Sequence, residues 1–429
     1  MSKKRILVWA DAPTAFTGFG TVSRYVVGAL QATDLYEIDQ LAINYHGQFV
    51  NKDQIPWQMQ PARLLDSSDP YGNKMFMRAI TEHDYDYIWI LNDTFVVHRV
   101  AKEMRKALDA KVAKGGKRSI VIYYYPVDCR VIPEAADMLR CCDIAVSYNE
   151  HGKLEALKEL PEIAPKMSTI YHGTDTQVYR PFSRKIIDDL KRKYFNRDPD
   201  TYVVINVNRN SVRKQISRTM VAFKVFKAQV PNSLLYLHTA PQDRDIDLVS
   251  AANHLGLKPK EDLVFPPNYS PSAGYPAHIL NELYNCADVF VTTHLGEGWG
   301  LSVTEAMAAG VPVIAPKNTS MPEILGEQSE RGHLYECNDP IYVDNSGYRM
   351  MGSINDIVDQ MLKVHRLGWK HDSKKVIQAR QWVEKNNWGK VCTDWISLFN
   401  EVDERVAKLA AQKPVETDVN EPTFVGELL

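Results

Sequence analysis

Residues 289–309 join an apolar run, a glycine-rich turn and an alanine-rich run, and this order limits the possible folds more than any other segment. The run 289–293, Val-Phe-Val-Thr-Thr, is β-branched and apolar, as in a buried parallel strand, whereas 306–309, Ala-Met-Ala-Ala, favours a helix. Three glycines separate the two runs: Gly296, Gly298 and Gly300. The segment predicts a strand-to-helix crossing in an α/β fold.

Short apolar runs alternate with amphipathic segments along the whole chain, which indicates βαβ organisation. The predicted strands are Ile6–Ala10, Ile38–Ile43, Tyr87–Leu91, Ile120–Tyr124, Ile144–Ser147, Thr169–Tyr171, Tyr202–Val207, Leu234–His238, Leu263–Phe265, Val289–Thr292 and Val313–Ala315. Each half of the chain has enough strands for its own doubly wound sheet. The junction is expected near Arg180-Pro181-Phe182, where a helix-breaking proline follows the sixth strand.

Length and composition predict two or three compact domains in a soluble, cytoplasmic protein. The chain has 429 residues and a formal net charge of −2, which argues against global attraction to nucleic acid or acidic membrane. No apolar run is long enough to span a bilayer, and the N-terminus leads directly into a strand. The six cysteines show no metal-ligand spacing and are expected to be reduced.

Two carboxylates flank the glycine-rich turn. Ser302 and Glu305 have capping-box spacing, so Ser302 is the predicted helix N-cap and Glu305 is placed in the first turn. A diphosphate would dock on the free backbone N–H groups there, with Glu297 on sugar hydroxyls and Glu305 on a ribose, as in a sugar-nucleotide site. Alternatively, Glu305 only completes the cap and Glu297 is a solvated loop charge.

Four linked motifs lie within about thirty residues of this turn. They are Glu297 to Glu305, Glu305-Ala306-Met307, Gly310-Val311-Pro312-Val313-Ile314 and Pro322-Glu323-Ile324. In this combination the chain resembles the retaining glycosyltransferases of family 4, in the GT-B superfamily.

The resemblance implies a GT-B fold: two Rossmann-like doubly wound domains facing a cleft, with a C-terminal helix crossing back to the first domain. The expected domains are 1–180 for the acceptor and 181–385 for the sugar nucleotide. Residues 386–412 are expected to form the crossover, with Trp395 and Leu398 on its apolar stripe, and 413–429 a loosely ordered tail.

Two cations follow the first strand of the second domain, and the family carries an arginine and a lysine at this spacing. Arg209 and Lys214 match it, Asn208 and Gln215 stand where the family has glycines, and Arg213 is a nearby substitute. Such cations would stabilise negative charge on a departing β-phosphate without a metal. The alternative is a solvated loop.

A metal-binding Asp-x-Asp motif would have to follow a strand. Asp84-Tyr85-Asp86 precedes one, and Asp243, Asp245 and Asp247 indicate a loop entering a helix. We therefore expect metal-independent chemistry with no cofactor besides the co-substrate.

The first domain offers weaker signals. Gly18 and Gly20 follow its first strand; they suggest a dinucleotide-cofactor loop, but Ser23 replaces the third glycine, and the resemblance instead places them near the donor phosphate or acceptor. Asp128 aligns with an aspartate that faces the donor sugar in relatives, or it is a turn or N-cap residue. His172 replaces the family's usual asparagine and is either packed or catalytic.

Taken together, these features predict a retaining glycosyltransferase that moves a sugar from a UDP- or GDP-sugar to an unidentified hydroxyl acceptor: a glycan, lipid, small molecule, protein or modified DNA base. The candidate catalytic residues are Arg209, Lys214, Glu297 and Asp128. The candidate donor-binding residues are Gly18, Gly20, Arg209, Lys214, Glu297, Gly298, Trp299, Gly300, Leu301 and Glu305. The rival functions are a GT-B epimerase or phosphorylase-like enzyme and a catalytically silent nucleotide-sugar-binding module.

The segment 99–118 is rich in basic residues. These are Arg99, Lys102, Arg105, Lys106, Lys111, Lys114, Lys117 and Arg118. Weak contact with an anionic surface, such as peripheral contact with a membrane, is one interpretation, and a solvated helix packed on the sheet is the other.

Overall fold

The computed structural model describes residues 3–63, 68–243, 246–270, 274–344, 347–368, 370 and 373–411. They form two compact units. Unit 1 contains the described residues of Met1–Pro126, Val131–Tyr171 and Gly389–Leu429, and unit 2 contains those of Val127–Arg130 and His172–Trp388. Besides the short segment Val127–Arg130, the divisions fall after residues 171 and 388, whereas the sequence analysis placed them after 180 and 385. The predicted tail 413–429 lies outside the described residues.

Unit 1 is built on a seven-stranded parallel sheet of order β3-β2-β1-β4-β5-β6-β7. The strands are β1 (Lys4–Asp11), β2 (Tyr36–Ile43), β3 (Gln58–Pro61), β4 (Tyr87–Leu91), β5 (Ile120–Tyr125), β6 (Ile144–Ser147) and β7 (Met167–Thr169). The helices are α1 (Gly18–Ala32), α2 (Asn73–Glu82), α3 (Thr94–Ala113), α4 (Asp137–Cys141) and α5 (Glu150–Glu159). Strands β4, β5 and β6 are fully buried, as expected for a sheet covered on both faces.

Unit 2 repeats this arrangement with a six-stranded parallel sheet of order β12-β9-β8-β13-β14-β15. The helices are α6 (Arg184–Phe195), α7 (Ile216–Gln229), α8 (Leu248–Leu255), α9 (Ala277–Cys286), α10 (Leu301–Ala308), α11 (Met321–Leu325), α12 (Ile354–His365) and α13 (Lys374–Lys385). The strands are β8 (Tyr202–Val207), β9 (Ser233–His238), β10 (Gln242–Asp243), β11 (Ile246–Asp247), β12 (Leu263–Val264), β13 (Val289–Val291), β14 (Val313–Pro316), β15 (His333–Tyr335), β16 (Cys337–Asp344) and β17 (Gly347–Gly352).

The strand order in each unit reverses at one point. In unit 1 the chain moves outward from β1 through β2 to β3 and then returns to β4 on the other side of β1; in unit 2 the reversal lies between β8 and β13. Loops that leave neighbouring strands in opposite directions open a crevice at the carboxyl ends of those strands. The predicted α/β class, with two Rossmann-like doubly wound sheets, is confirmed.

The last described helix, α14 (Trp388–Ala411), packs into unit 1 through an aromatic stripe. Trp395 is fully buried, with its ring 5.6 Å from Trp89 and 4.9 Å from Tyr124. One helical turn later, Phe399 lies 5.5 Å from Tyr36. These contacts complete the aromatic core on one face of the unit 1 sheet.

All eleven predicted strands overlap observed ones, but the sequence missed several short strands. The edge strand β3 contains a proline and polar residues, which hide its pattern. The antiparallel pair β16–β17, hereafter the 337–352 hairpin, was also missed because Pro340 and Asp339 interrupt its apolar alternation. Two residues of the predicted strand Thr169–Tyr171 lie after β7, which begins earlier, at Met167.

Candidate functional site

The loops that follow β8 and β13 are tied together at the reversal point of unit 2. The backbone N–H of Leu295 donates to the carbonyl of Arg213 at 2.8 Å. The Thr293 hydroxyl donates to the carbonyl of Gln215, also at 2.8 Å. These bonds hold residues that are some eighty positions apart in sequence at one edge of the sheet. The side chains of both loops therefore share a site.

Glu297 lies at the centre of this site and pairs with two cations. One carboxylate oxygen accepts a hydrogen bond from the Lys214 ammonium, and the other lies 3.1 Å from a guanidinium nitrogen of Arg213. Its side chain is only 10% exposed. Burial alone would raise the pKa of Glu297, but Arg213 and Lys214 outweigh burial and hold that pKa well below its usual range. Glu297 is thus a fixed negative charge and not a solvated loop residue.

Asp128 extends the same charge chain. Its carboxylate lies 3.1 Å from Nε of Arg213 and 3.3 Å from a guanidinium nitrogen of Arg349, which also donates to the Asp128 carbonyl at 2.6 Å. The N-cap alternative for Asp128 is wrong: the 3-10 helix Pro133–Ala135 has Ile132 as its N-cap residue. Sequence reasoning missed Arg349, which lies in the 337–352 hairpin, far from any recognised motif.

At two positions of the turn, the backbone conformation favours glycine over other residues. Gly296 has φ +151°, and a Cβ there would lie 1.9 Å from the carbonyl oxygen of Asp128. Gly300 has φ +106° and is the N-cap residue of α10. The predicted capping box is therefore wrong: α10 begins at Leu301, Ser302 lies inside its first turn, and Glu305 lies in the second. The N-cap residue is therefore Gly300, in the left-handed conformation, which lies two residues before the predicted N-cap Ser302.

The side chain of Glu305 accepts hydrogen bonds from tyrosine hydroxyls and does not take part in a helix cap. The Tyr284 hydroxyl donates to Oε2 of Glu305 at 2.9 Å. Burial raises the pKa of Glu305 to about 7, although hydrogen bonds from Tyr284 and Tyr179 act in the opposite direction. A carboxyl group that titrates near neutral pH is a common property of ligand-binding residues.

Arg209 lies apart from this cluster. Its Nε is 3.0 Å from Asp243, and its side chain is 61% exposed. Arg213, which the sequence offered as a nearby substitute, lies beside Glu297 instead of Arg209. Asp243, proposed as part of a loop leading into a helix, lies in the short pair β10–β11 and serves as this arginine's partner; Asp245 lies outside the described residues.

Gln215 shows why a glycine is favoured after Lys214. It adopts φ +50° at the junction between the 3-10 helix Val212–Lys214 and α7. A side chain there costs roughly 1 kcal/mol of strain. Asn208 replaces the other glycine and donates to Oδ1 of Asn206 at 2.8 Å.

The remaining donor-site candidates of unit 2 lie in the turn itself. Trp299 is buried with its ring 6.1 Å from Trp382, and its carbonyl accepts a hydrogen bond from Ser320 at 2.8 Å. Gly298 precedes it, and Leu301 is the first residue of α10. The leading N–H groups of any helix lack intrahelical acceptors, which is the physical reason to expect a phosphate at this helix start.

His172 is a packed residue. It is 3% exposed, with its ring 6.2 Å from Trp388 and 5.7 Å from Trp299. Burial lowers the pKa of His172 to about 3, so the ring is neutral at physiological pH. Gly173 beside it is required by close packing, because a Cβ there would lie 2.5 Å from the backbone of Trp388.

In unit 1, the glycine loop is organised around a capped helix. Thr17 accepts from the N–H of Gly20 at 2.9 Å as N-cap of α1, and its hydroxyl donates to the buried Asp11 at 2.5 Å. Gly18 is exposed, whereas a Cβ on Gly20 would lie 2.4 Å from the carbonyl oxygen of Ala15. The packing of the loop explains Gly20 without any ligand.

The basic segment 99–118 is extensively neutralised. Five of its cations pair with carboxylates within unit 1: Lys102 with Asp137, Arg105 with Asp143, Lys111 with Asp84, Lys117 with Asp86, and Arg118 with Asp143. These pairs favour the interpretation of α3 as a packed, solvated helix. Anionic-surface contact stays a prediction. The two aspartates of the Asp-x-Asp sequence are engaged in these pairs.

The described residues were also compared with the requirements of a metal site and of a membrane-spanning helix, and they meet neither. Among them, no three His, Cys, Asp or Glu side chains are grouped so as to hold a metal ion. No described helix combines the length and apolar character that crossing a membrane requires.

Comparisons with known proteins relate this site to a family. Residues 271–342, which include Glu297 and Glu305, match the model of the family described as glycosyl transferases group 1. The putative glycosyltransferase EpsD of Bacillus subtilis is 26% identical over 310 residues, covering 67% of this chain and 72% of that protein. The sulfoquinovosyl transferase SQD2 of Arabidopsis thaliana is 24% identical over 50% of this chain, but the match spans only 36% of its own length.

Solved structures extend the likeness to the whole fold. Sucrose-phosphate synthase from Thermosynechococcus elongatus has a TM-score of 0.70 at 17% identity, covering 94% of this chain and all of that one. HepE from Anabaena, solved with UDP and glucose, has a TM-score of 0.65 at 16% identity, covering 93% of this chain and all of that one. The chain has the GT-B fold of these glycosyltransferases, and its segment 271–342 is similar to glycosyl transferases group 1.

Proposed function

We propose that the protein is a retaining, metal-independent glycosyltransferase that uses a nucleoside diphosphate sugar. The observation that carries the proposal is the cluster of Lys214 and Arg213 around the buried Glu297 at the reversal point of unit 2, within and beside the segment similar to group 1 glycosyltransferases. HepE, solved with UDP and glucose, supports a nucleotide-sugar donor.

The reaction would be driven by electrostatic stabilisation of the leaving group. The bond between the anomeric carbon and the β-phosphate oxygen breaks as the acceptor oxygen bonds to the same face of that carbon. The acceptor's proton passes to the departing phosphate. Lys214 and Arg213, held beside Glu297, would stabilise the negative charge that develops on the departing phosphate.

The carboxylates take the hydroxyl groups of the donor. Glu297, ionised and fixed by two cations, would accept from sugar hydroxyls, and Glu305 would accept from the ribose. Arg209 would contact the diphosphate from the exposed side of the site. Unit 1 is assigned to the hydroxyl acceptor by family resemblance alone.

A donor panel tests the proposal. UDP-, GDP- and ADP-sugars are titrated into the protein by calorimetry in the presence of EDTA, and donor cleavage is followed by NMR with and without candidate acceptors. We expect one donor class to bind and to be cleaved slowly by water with the α-configuration retained. Binding of none would refute the proposal. Binding without cleavage under any condition would identify the silent binding module, and isomerisation of the intact donor would identify an epimerase.

A further inference from the structure

The 337–352 hairpin places one buried arginine in the candidate site. In the register of β16 and β17, Tyr342 faces Tyr348 and Ile341 faces Arg349. Tyr348 is 69% exposed and Tyr342 62%, whereas Arg349 is 4% exposed. Successive residues of a strand point to opposite faces, so the hairpin turns its aromatic residues outward and its arginine inward.

Arg349 grips residue 128 at two points. One guanidinium nitrogen donates to the backbone carbonyl of Asp128 at 2.6 Å, and the other lies 3.3 Å from its carboxylate. The same carbonyl oxygen packs against Gly296, where any Cβ would lie 1.9 Å from it. Arg349 therefore fixes both the position of Asp128 and its contact with the turn that carries Glu297.

This grip sets the position of Arg213. The Arg213 side chain lies 3.1 Å from Asp128 and 3.1 Å from Glu297, and it also donates to the carbonyl of Gly296. Asp128 in turn divides its two oxygens between Arg213 and Arg349. If Arg349 were absent, Asp128 would turn its full charge on Arg213 and draw it away from the position where a phosphate would meet it.

The charges of the cluster point the same way. Three cations, Lys214, Arg213 and Arg349, face two carboxylates, Glu297 and Asp128, so 3 − 2 leaves one positive charge. Removing Arg349 leaves none. A buried ion pair often stabilises a protein less than well-packed apolar side chains of the same volume would. The need to attach the hairpin to the rest of unit 2 therefore does not by itself account for an arginine at position 349.

We propose that Arg349 is a positioning residue for the donor diphosphate: through Asp128 it keeps Arg213 available to the phosphates and leaves the cluster with excess positive charge. The inference rests on the proposed function and adds to it. Arg349 lies beyond residue 342, where the match to the family model ends.

A binding experiment with UDP, GDP and ADP tests this role. Calorimetry first identifies the diphosphate that the unaltered protein binds; if none binds, the proposed function fails at that step. With the bound diphosphate, we expect Arg349→Ala to weaken affinity about tenfold. Arg349→Lys keeps the positive charge but lacks the planar guanidinium that makes two contacts at once, so it should weaken affinity about threefold. Tyr348→Ala is the matched control in the same hairpin and should change affinity less than twofold.

A double-mutant cycle separates positioning from folding support. In an Asp128→Ala background, Arg349→Ala should weaken affinity at most threefold, because the carboxylate it restrains is gone. Equal losses in both backgrounds, or unchanged affinity in Arg349→Ala, would overturn the inference. If Arg349→Ala does not fold, Arg349→Lys is measured in both backgrounds; full affinity in the Asp128-containing protein then overturns the inference as well.

Discussion

The hydroxyl of Tyr284 donates to Oε2 of Glu305 at 2.9 Å, which joins α9 to α10 beside the candidate donor site. The phenol compensates in part for the burial that raises the pKa of Glu305 to about 7. This carboxyl group is therefore partly protonated at neutral pH in the unliganded protein, and its protonation state connects pH to donor binding and to stability.

Donor affinity should rise with pH through about 7. Glu305 accepts ribose hydroxyls best as a carboxylate, so binding must release a proton below that pH. The measurement is calorimetric affinity for the intact nucleotide sugar between about pH 5.5 and 8.5, a range that brackets the pKa of this group. Glu305→Gln should bind more weakly and show a flat profile. An identical pH profile in both proteins would exclude Glu305 from binding.

Stability should respond in the opposite direction. The folded-state pKa of Glu305, about 7, exceeds the usual 4.5, so the folded protein binds more protons between these values. The contribution of Glu305 to stability is therefore present at pH 4.5 and is lost as pH rises to about 7. In urea unfolding, the difference between Glu305→Gln and the unaltered protein should shift in favour of the variant across this window. A pH-independent difference would contradict the assignment.

Lys214→Met should lower turnover much more than donor binding. Its ammonium is expected to act on charge that develops only as the phosphate leaves, which predicts a loss of roughly 10²-fold or more in kcat. Glu297 keeps its contact with Arg213, so the fold should be retained. Lys258→Met, at a 71% exposed lysine of the same unit, is the matched control. Equal kcat in the two variants would remove Lys214 from catalysis.

Arg209 and Arg213 should differ in stability effects. Arg209→Ala removes one exposed ion pair and should change unfolding free energy by less than about 0.5 kcal/mol. Arg213→Ala leaves two carboxylates without their shared cation and should cost about 1–3 kcal/mol. Both should weaken diphosphate binding. Unchanged affinity in Arg209→Ala would take that residue out of the donor site.

Gly296→Ala should damage the turn. The new methyl group would meet the carbonyl oxygen of Asp128 at a position with φ +151°, which predicts a cost of about 2–4 kcal/mol and weaker donor binding. Gly28→Ala, in α1 with open space around the added Cβ, should instead stabilise by about 0.5–1 kcal/mol. Similar melting temperatures for the two variants would show that the backbone of Asp128 can move away from the added methyl group without loss of stability.

The strand and turn pattern of residues 289–309 predicted the α/β class and the position of Glu297, because alternation and glycine placement are local properties. Lys214 was predicted from the family resemblance, because Arg209 and Lys214 keep the family's spacing of an arginine and a lysine. The helix start was predicted incorrectly, since the spacing of Ser302 and Glu305 carries no information on the backbone conformation of Gly300.

Other parts of the site depend on contacts between distant residues. Nothing local relates Asp128 to Arg349 or to Gly296, which lie more than 160 residues further along the chain. The choice of Arg213 over Arg209 beside Glu297 is likewise set by the short 3-10 helix Val212–Lys214, whose direction spacing does not reveal. Such pairings require the folded chain.

The position of α14 has a consequence for synthesis. Trp89, Tyr124 and Tyr36 belong to the first third of the given sequence, yet the side chains that cover them, Trp395 and Phe399, are synthesised only after His172–Trp388 of unit 2. The earlier-made sheet must therefore wait with an uncovered aromatic surface while all of unit 2 is translated. A chain cut short before Trp395 would keep that surface bare, which makes truncated products prone to aggregation.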